Sequence, residues 1–346
     1  MRIISYATLT RTLVIPLSCL VTAGTAMATD RPAFSIVSVL HDDRSFNRPH
    51  DVVLQGHLAF VPGKGGSIAI VDVTDPTAPR VIWSKLDPEQ LPDAETVLVV
   101  GNHLMLGTRD LFSLDIRHPS HPVWLTTIVD RMRVDKINGM VQRDEHVFAA
   151  CKHGWVAVFD VRSPAAPRLV DAIDLRKRYG FQCPHDIDAF GDHIVVVDPD
   201  YFGRDGNPGK IGVWRVADPE THVLMASDDW ALEGRVISHD LVGANRVQVR
   251  GSHAYVAGSQ YAKPSRTAVV DLADPAHPSL AAVLPFSDIR GPNGLTVVGN
   301  ALFSAGGQTI EAIDISDPHH PIKVAAEKFF DVFPLNFRTR STDLPV

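Results

Sequence analysis

The chain has 346 residues and a formal net charge of −7; 45% of its residues are hydrophobic and 21% are charged. That length and balance predict a globular protein with a sizeable buried core. A negative chain without a basic cluster is poorly suited to phosphate backbones, which excludes nucleic acid as a partner.

The first 28 residues are typical of a secretory signal peptide: they combine two arginines, a mainly apolar run at 12–21 and a small-residue cleavage site ending at Ala28. The apolar run is shorter than the ~20 residues that span a bilayer, and no later run reaches that length, so we expect no transmembrane segment. We predict cleavage near Ala28, which takes the net charge to −9, and a periplasmic or secreted protein comprising residues 29–346.

Downstream of this segment one short motif recurs six times, with an apolar run, usually an aspartate, and a proline-rich corner. The aspartate carboxylate can accept hydrogen bonds from turn amides, while the proline fixes φ and prevents the strand from continuing. The copies are VDVTDPTAP (71–79), LDIRHPSHP (114–122), FDVRSPAAP (159–167), WRVADPETH (214–222), VDLADPAHP (270–278) and IDISDPHHP (313–321).

Each motif lies between strand-like runs, two upstream and one downstream. Four short strands per unit without helical periodicity predict an all-β fold, a single β-propeller domain. We favour six four-stranded blades over seven, although FSIVSVL (34–40) could add a fifth strand to the closing blade or contribute to a partial seventh. The predicted repeats are roughly 48–90, 91–133, 134–178, 181–230, 241–288 and 289–330.

The motif (L/V/I)-V-D-(V/I/L)-x-D-P-x-x-P resembles the repeat of the LVIVD-repeat family, exported propellers named for this strand. The resemblance covers essentially all of residues 34–328 and implies a β-propeller. It implies no particular activity, because the family has no single established reaction.

A polar residue stands at the start of the first strand in every unit. In a propeller this strand is innermost and its start opens onto one mouth of the central channel, so we predict that the six side chains surround that mouth. We call these six residues the mouth ring: His50, Glu95, Asn138, His185, Asn245 and Asn293. The favoured interpretation is a binding or scaffold protein. Its ligand at the mouth ring would be a polar small molecule, a glycan or an envelope protein.

A metal-dependent enzyme, an oxidoreductase or a lyase, is the alternative. His50, Glu95 and His185 form a ligand set for copper, zinc or iron, although the two histidines come from opposite blades. Asp51 and Asp186 could orient these histidines or pair with an adjacent blade. A hydrated rim on an envelope scaffold is the third interpretation.

Long loops in unit four break the symmetry of the mouth. DPDYFGRDGNPGK (198–210) could hold calcium, and SDDWALEGRVISHDLVGANR (227–246) is predicted to be a lid. Loops after other second strands are expected to bring Lys64, Arg109 and His153 towards the same mouth.

Cys151 and Cys183 are the only cysteines that remain after cleavage, and both are expected near this mouth in neighbouring blades. An oxidising compartment permits a disulfide between them. The alternative joins both cysteines with His153 and His185 in a thiolate–imidazole copper site.

Ten further histidines fall in hairpin turns or proline corners and are predicted to be surface residues that bond locally. They are His57, His103, His118, His121, His146, His193, His253, His277, His319 and His320.

Overall fold

The computed structural model describes residues 12–16, 36–42, 44–199, 207–258, 265–288 and 291–328. In this part of the chain the strands form six four-stranded antiparallel sheets and one two-stranded sheet. The predicted six-bladed β-propeller is confirmed.

The strands of each blade pair in chain order, as four consecutive strands of a meander. Blade 1 contains β3 (Val53–Gln55), β4 (Leu58–Gly63), β5 (Ser67–Asp72) and β6 (Arg80–Leu86), and blade 2 contains β7 (Thr96–Val100), β8 (His103–Gly107), β9 (Leu111–Asp115) and β10 (Val123–Ile128). Blade 3 contains β11 (Ile137–Arg143), β12 (His146–Cys151), β13 (Trp155–Asp160) and β14 (Arg168–Asp174), and blade 4 contains β15 (Asp186–Phe190), β16 (His193–Asp198), β17 (Gly209–Arg215) and β18 (Ala231–Ser238). Blade 5 contains β19 (Ala244–Arg250), β20 (His253–Gly258), β21 (Arg266–Asp271) and β22 (Ser279–Pro285), and blade 6 contains β23 (Gly294–Val298), β24 (Ala301–Gly306), β25 (Thr309–Asp314) and β26 (Ile322–Lys328).

Aspartates at the ends of the third strands cap the corners, as the repeat predicts. The Asp72 carboxylate accepts a hydrogen bond from the Thr74 amide at 2.9 Å, and Asp271 accepts one from the Ala273 amide at 2.8 Å. Asp115, Asp160 and Asp314 accept the equivalent amide. The hydrogen bonds fix the direction in which the chain leaves for the fourth strand.

Apolar side chains pack between successive blades, because alternate residues of a strand face opposite sides of its sheet. In blade 1, Phe60 and Ile70 face the core shared with blade 2, whereas Ala59 and Val61 face the other way. Shared cores of this kind join blades 2 and 3, 3 and 4, 4 and 5, and 5 and 6.

The two ends of the blade series are built differently. β1 (Thr12–Pro16) pairs antiparallel with β2 (Ile36–His41). Leu40 of β2 packs against the face of blade 1 that points away from blade 2. Blade 6 carries a separate cluster that includes Phe303. Within the described ranges β2 pairs with β1 alone, so it is not a fifth strand of the closing blade.

The predicted lid in unit four is wrong in one respect: ALEGRVIS forms β18, the fourth strand of blade 4, and so extends this repeat beyond residue 230. The apolar residues Leu224 and Met225, which resemble a strand in the sequence, pack on the blade 3–4 core instead. A short helix, α1 (Leu175–Tyr179), connects blades 3 and 4; Asp174 caps its start and Gly180 ends it with φ of 76°.

Among the described residues, no helix is both long enough and apolar enough to cross a membrane.

Candidate functional site

The mouth ring is held by the same backbone geometry in most units. The amides of His50, Glu95, His185 and Asn293 each donate to a carbonyl near the end of the neighbouring second strand, at 2.9–3.0 Å. Asn138 and Asn245 instead occupy irregularities in β11 and β19, where the pairing register shifts. Both arrangements place the side chain where the innermost strand begins.

Polar contacts between neighbouring units connect one half of the ring. The Asn138 Nδ2 group donates to the His185 carbonyl at 2.9 Å, and His185 Nδ1 lies 2.9 Å from the Asn245 carbonyl. Asn245 Nδ2 donates to Asn293 Oδ1 at 2.5 Å. His185 Nδ1 also lies 2.6 Å from Asn138 Nδ2, so this ring nitrogen stands between the Asn138 amide and the Asn245 carbonyl.

The other half contains His50 and Glu95. His50 Nδ1 lies 2.8 Å from the Glu95 carbonyl, and His50 Nε2 lies 4.0 Å from Glu95 Oε2. Arg246 reaches across from blade 5: one guanidinium nitrogen donates to the Asn138 carbonyl at 3.2 Å and another lies 3.3 Å from His50 Nδ1. The channel is therefore narrow at this level, and contacts connect all six ring residues.

Two lysines contact the Glu95 carboxylate at the mouth, and an arginine lies beside the neighbouring His50. Glu95 lies 2.7 Å from the Lys152 amine and 3.4 Å from the Lys64 amine, and Arg246 is the third cation. The Glu95 side chain is 3% exposed, whereas those of Lys64 and Lys152 are 21% and 18% exposed. Three cations thus gather at this mouth, in a protein whose formal net charge is −7.

Burial and the local cations shift the titration of this site. Burial lowers the pKa of Lys64 to about 8, with Lys152 and Arg246 acting in the same direction and Glu95 opposing them. Burial, followed by the three cations, lowers the pKa values of His50 and His185 well below the usual histidine value. Both imidazoles are therefore neutral at pH 7.

The aspartates that follow the two ring histidines bond to adjacent blades. Asp51 accepts a hydrogen bond from the Thr96 hydroxyl of blade 2 at 2.9 Å, and Asp186 accepts one from the Val247 amide of blade 5 at 3.0 Å. They link blades to one another.

The predicted metal set does not converge in this structure. The His185 ring lies with Asn138 and Asn245, on the other half of the ring from His50 and Glu95. Within the described ranges, one group of three metal-ligating side chains has its ligand atoms within 4.8 Å of one another, and it lies elsewhere: His253, Asp271 and His319.

The two cysteines lie buried without a disulfide bond between them. Burial raises the pKa of Cys151, and its thiol donates to the Ala149 carbonyl. His153 lies 3.3 Å from Asp135, and neither cysteine belongs to the three-ligand group found in the described part of the chain.

Most of the predicted calcium loop, residues 200–206, lies outside the described residues. Its first residue, Asp198, is completely buried and accepts hydrogen bonds from the amides of Gln182 and Cys183 at 2.6 and 3.3 Å. This carboxylate holds the segment that leads into the ring at His185.

Sequence reasoning found Lys64 but missed Lys152 and the inward reach of Arg246. Lys64 and Lys152 occupy the same repeat position, immediately after the second strand, and their amides donate to equivalent carbonyls of Arg48 and Lys136. A stricter alignment of the units would have selected Lys152 rather than its neighbour His153.

The family model of the LVIVD repeat matches residues 49–85 and 243–283, in units one and five. No match is found among the curated proteins.

Solved structures show the same fold at low identity. A candidate 6-phosphogluconolactonase from Bacteroides fragilis is 10% identical with a TM-score of 0.66, and covers 86% of this chain and 88% of its own. Another, from Bacteroides uniformis, is 11% identical with a TM-score of 0.65 over 86% of this chain and 91% of its own. A protein of unknown function from Desulfotomaculum acetoxidans is 14% identical with a TM-score of 0.61 over 84% and 88%.

Proposed function

We propose that this six-bladed β-propeller, which carries LVIVD repeats, is a binding protein that takes a small anionic ligand at the charged mouth of its channel. The observation that carries the proposal is the group of three cations at the mouth: Lys64 and Lys152 beside Glu95, and Arg246 beside His50. An anion would pair with these cations, and partial burial strengthens its attraction to them.

The same charges argue against the metal-dependent alternative at this mouth. A metal cation between His50 and Glu95 would lie beside Lys64, Lys152 and Arg246, and each would repel it. The two histidines are neutral donors and acceptors that suit a polar ligand equally well.

Buried amide oxygens point to hydroxyl groups on the ligand. The Oδ1 atoms of Asn138 and Asn245 are buried without a hydrogen-bond partner among the described residues. An unsatisfied buried acceptor costs free energy until a donor is supplied, and a ligand hydroxyl is such a donor. We therefore favour a hydroxylated acid, such as a sugar acid or sugar phosphate.

Isothermal titration calorimetry of the purified protein at low ionic strength tests the proposal, with inorganic phosphate, gluconate and 6-phosphogluconate as probes and uncharged glucose for comparison. The last anion is included because two proteins of similar fold carry 6-phosphogluconolactonase in their names. We expect saturable binding of an anion, weakened by added salt. No saturable binding of any of the three anions would overturn the proposal.

The variant Lys152→Met removes one of the three cations, and loss of a hydrogen bond to a charged group should raise the dissociation constant about tenfold or more. Lys177→Met is the matched control, because Lys177 is exposed on α1 and lies outside the mouth ring. Equal effects of the two variants would show that only overall charge matters. Circular dichroism checks that both variants fold.

We also propose that the protein is exported to the periplasm or secreted, supported by the basic, apolar and small-residue order of its first 28 residues. Cleavage near Ala28 would remove β1 and leave β2 held by contacts such as that of Leu40 with blade 1. Mass spectrometry of the expressed protein should show a chain that begins near Thr29. Full-length protein confined to the cytoplasm would contradict this.

A further inference from the structure

Two histidines and one aspartate meet where blade 5 contacts blade 6. One ligand atom from each of His253, Asp271 and His319 lies within 4.8 Å of the other two. His253 begins β20 and Asp271 ends β21, at the opposite end of the strands from the mouth, and the two residues are direct cross-strand partners. His319 belongs to the proline corner of blade 6. We call these three residues the corner cluster.

The three side chains leave a gap between them. His319 Nε2 lies 3.8 Å from Asp271 Oδ2, which is too long for a hydrogen bond, and the two imidazole rings are edge to face with centroids 5.4 Å apart. His253 Nε2 is buried and has no hydrogen-bond partner in the described structure. A buried ring nitrogen in this state requires an explanation, since such groups are normally satisfied.

Comparison with other blades shows why Asp271 is available. The cross-strand histidine–aspartate pair also occurs in blade 2, as His103 and Asp115. There the aspartate is held by Arg117, whose Nε lies 2.9 Å from Asp115 Oδ2. In blade 3 the equivalent Asp160 is held in the same way by two arginines, Arg162 and Arg168.

Blade 5 has an alanine, Ala273, where blades 2 and 3 have the first arginine of this corner. One oxygen of Asp271 accepts the Ala273 amide, and the other, Oδ2, is the one that faces His319. The carboxylate therefore lacks the guanidinium that neutralises its counterparts.

The second histidine is also specific to this junction. At the repeat position of His319, the corner of blade 2 has Ser120 and the corner of blade 3 has Ala165. The His319 amide donates to the Asp317 carboxylate at 3.0 Å, which fixes the corner that presents the imidazole.

From this arrangement we propose that the corner cluster binds a divalent transition-metal ion, with His253, Asp271 and His319 as its three protein ligands. Two imidazoles and a carboxylate suit zinc, copper, nickel or cobalt, and three ligands leave a coordination position for water. Tetrahedral bonds of 2.0–2.1 Å place ligand atoms about 3.3 Å apart, so a small rotation of the exposed His319 closes the gap. The ion would join blade 5 to blade 6, far from the anion site.

Cobalt(II) is the probe of choice, because its visible absorption reports the coordination geometry directly. Purified protein freed of metal by chelation is titrated with Co²⁺ alone, followed by competition with Zn²⁺. We expect one equivalent of Co²⁺ to bind, with an absorption spectrum typical of a low coordination number. Added Zn²⁺ should displace this bound Co²⁺. Bound ion also stabilises the folded state, so the melting temperature should rise with metal concentration.

The variants His253→Ala and His319→Ala should weaken cobalt binding more than about tenfold. Even the loss of a residue that only hydrogen-bonds to a metal ligand lowers metal affinity about 10–100-fold. His319 is exposed, so its variant is expected to fold normally. His320→Ala is the matched control: its imidazole lies next in the chain, pairs with Asp317 and is outside the cluster. Absence of a bound equivalent, or equal weakening by His319→Ala and His320→Ala, would overturn the proposal.

Discussion

The mouth ring and the corner cluster use the same side-chain types at opposite ends of the blades, but their surroundings differ. At the mouth, His50 and His185 are buried, and backbone carbonyls and cations from other blades surround them. At the corner, His253 and His319 face a carboxylate that pairs with no lysine or arginine among the described residues. Two imidazoles and a carboxylate therefore suggest opposite ligands, an anion in one place and a metal ion in the other.

On these proposals, we expect neighbouring charge to decide which ligand each histidine site attracts. Lys64, Lys152 and Arg246 bring three cations to the mouth, whereas Ala273 leaves Asp271 without the arginine that blades 2 and 3 have at this position. Four predictions test this contrast, and each changes charged or titratable side chains at one of the two sites.

The largest effect is expected from Glu95→Gln. The substitution removes the carboxylate that pairs with Lys64 and Lys152, and breaking a buried ion pair costs about 3–5 kcal/mol. Urea denaturation should show this loss in the free energy of unfolding. The control Glu89→Gln alters an exposed carboxylate and should change stability by less than about 0.5 kcal/mol. A Glu95 variant as stable as the control would mean that Lys64 and Lys152 do not depend on this carboxylate.

Acid should destabilise the protein through the ring histidines. The pKa values of His50 and His185 are lowered in the folded state, so the unfolded chain binds more protons once the pH falls below about 6.5. Each histidine then removes about 1.4 kcal/mol of stability per pH unit until its folded pKa is reached. Urea denaturation at pH 7.5 and 5.5 measures the loss.

The double variant His50→Asn/His185→Asn should flatten this pH dependence, because asparagine already occupies ring positions 138, 245 and 293. His57→Asn, at an exposed histidine, is the control and should leave the dependence unchanged. If the double variant loses stability in acid as steeply as the unmodified protein, the ring histidines are not the titrating groups.

The blade architecture and the position of the ring could be predicted because they follow from periodicity. Six proline corners define the units, five of them with the motif's aspartate, and a fixed offset from each hairpin locates the start of the innermost strand. The prediction failed in blade 4, where Leu224 and Met225 resemble a strand but lie in a connection, and β18 begins at Ala231. Apolar runs show burial, but they do not distinguish a ladder strand from a packed loop.

The corner cluster could not be recognised from the sequence, although each of its residues was seen. His253 and His319 stand at repeat positions where a surface role is the reasonable expectation, and 66 positions separate them in the chain. Their meeting depends on how the corner of blade 6 packs against blade 5. Arg246 was missed for a related reason, because its reach to His50 crosses the channel between units five and one.

Adding an arginine to the corner should make blade 5 resemble blades 2 and 3. In Ala273→Arg the new guanidinium can pair with Asp271 as Arg117 pairs with Asp115, and we expect cobalt affinity to fall about tenfold, or about 1.4 kcal/mol. Ala276→Arg adds the same charge at an exposed position of the corner and is the control. Equal affinities in the two variants would show that Asp271 is not a ligand.

The smallest expected effect is on the pH dependence of anion binding. The pKa of Lys64 is lowered to about 8, and a bound anion favours its charged form. Gluconate is the probe here, because its carboxylate stays ionised where a phosphate group titrates, and its affinity should be constant between about pH 6 and 7 and fall between about pH 8 and 9. The decrease is modest because Arg246 keeps its charge throughout this range. Lys64→Arg should remove the decrease, since a guanidinium does not titrate there, and calorimetry in buffers of different ionisation enthalpy should show proton uptake only with lysine. An unchanged pH profile in this variant would assign the titration to a group other than Lys64.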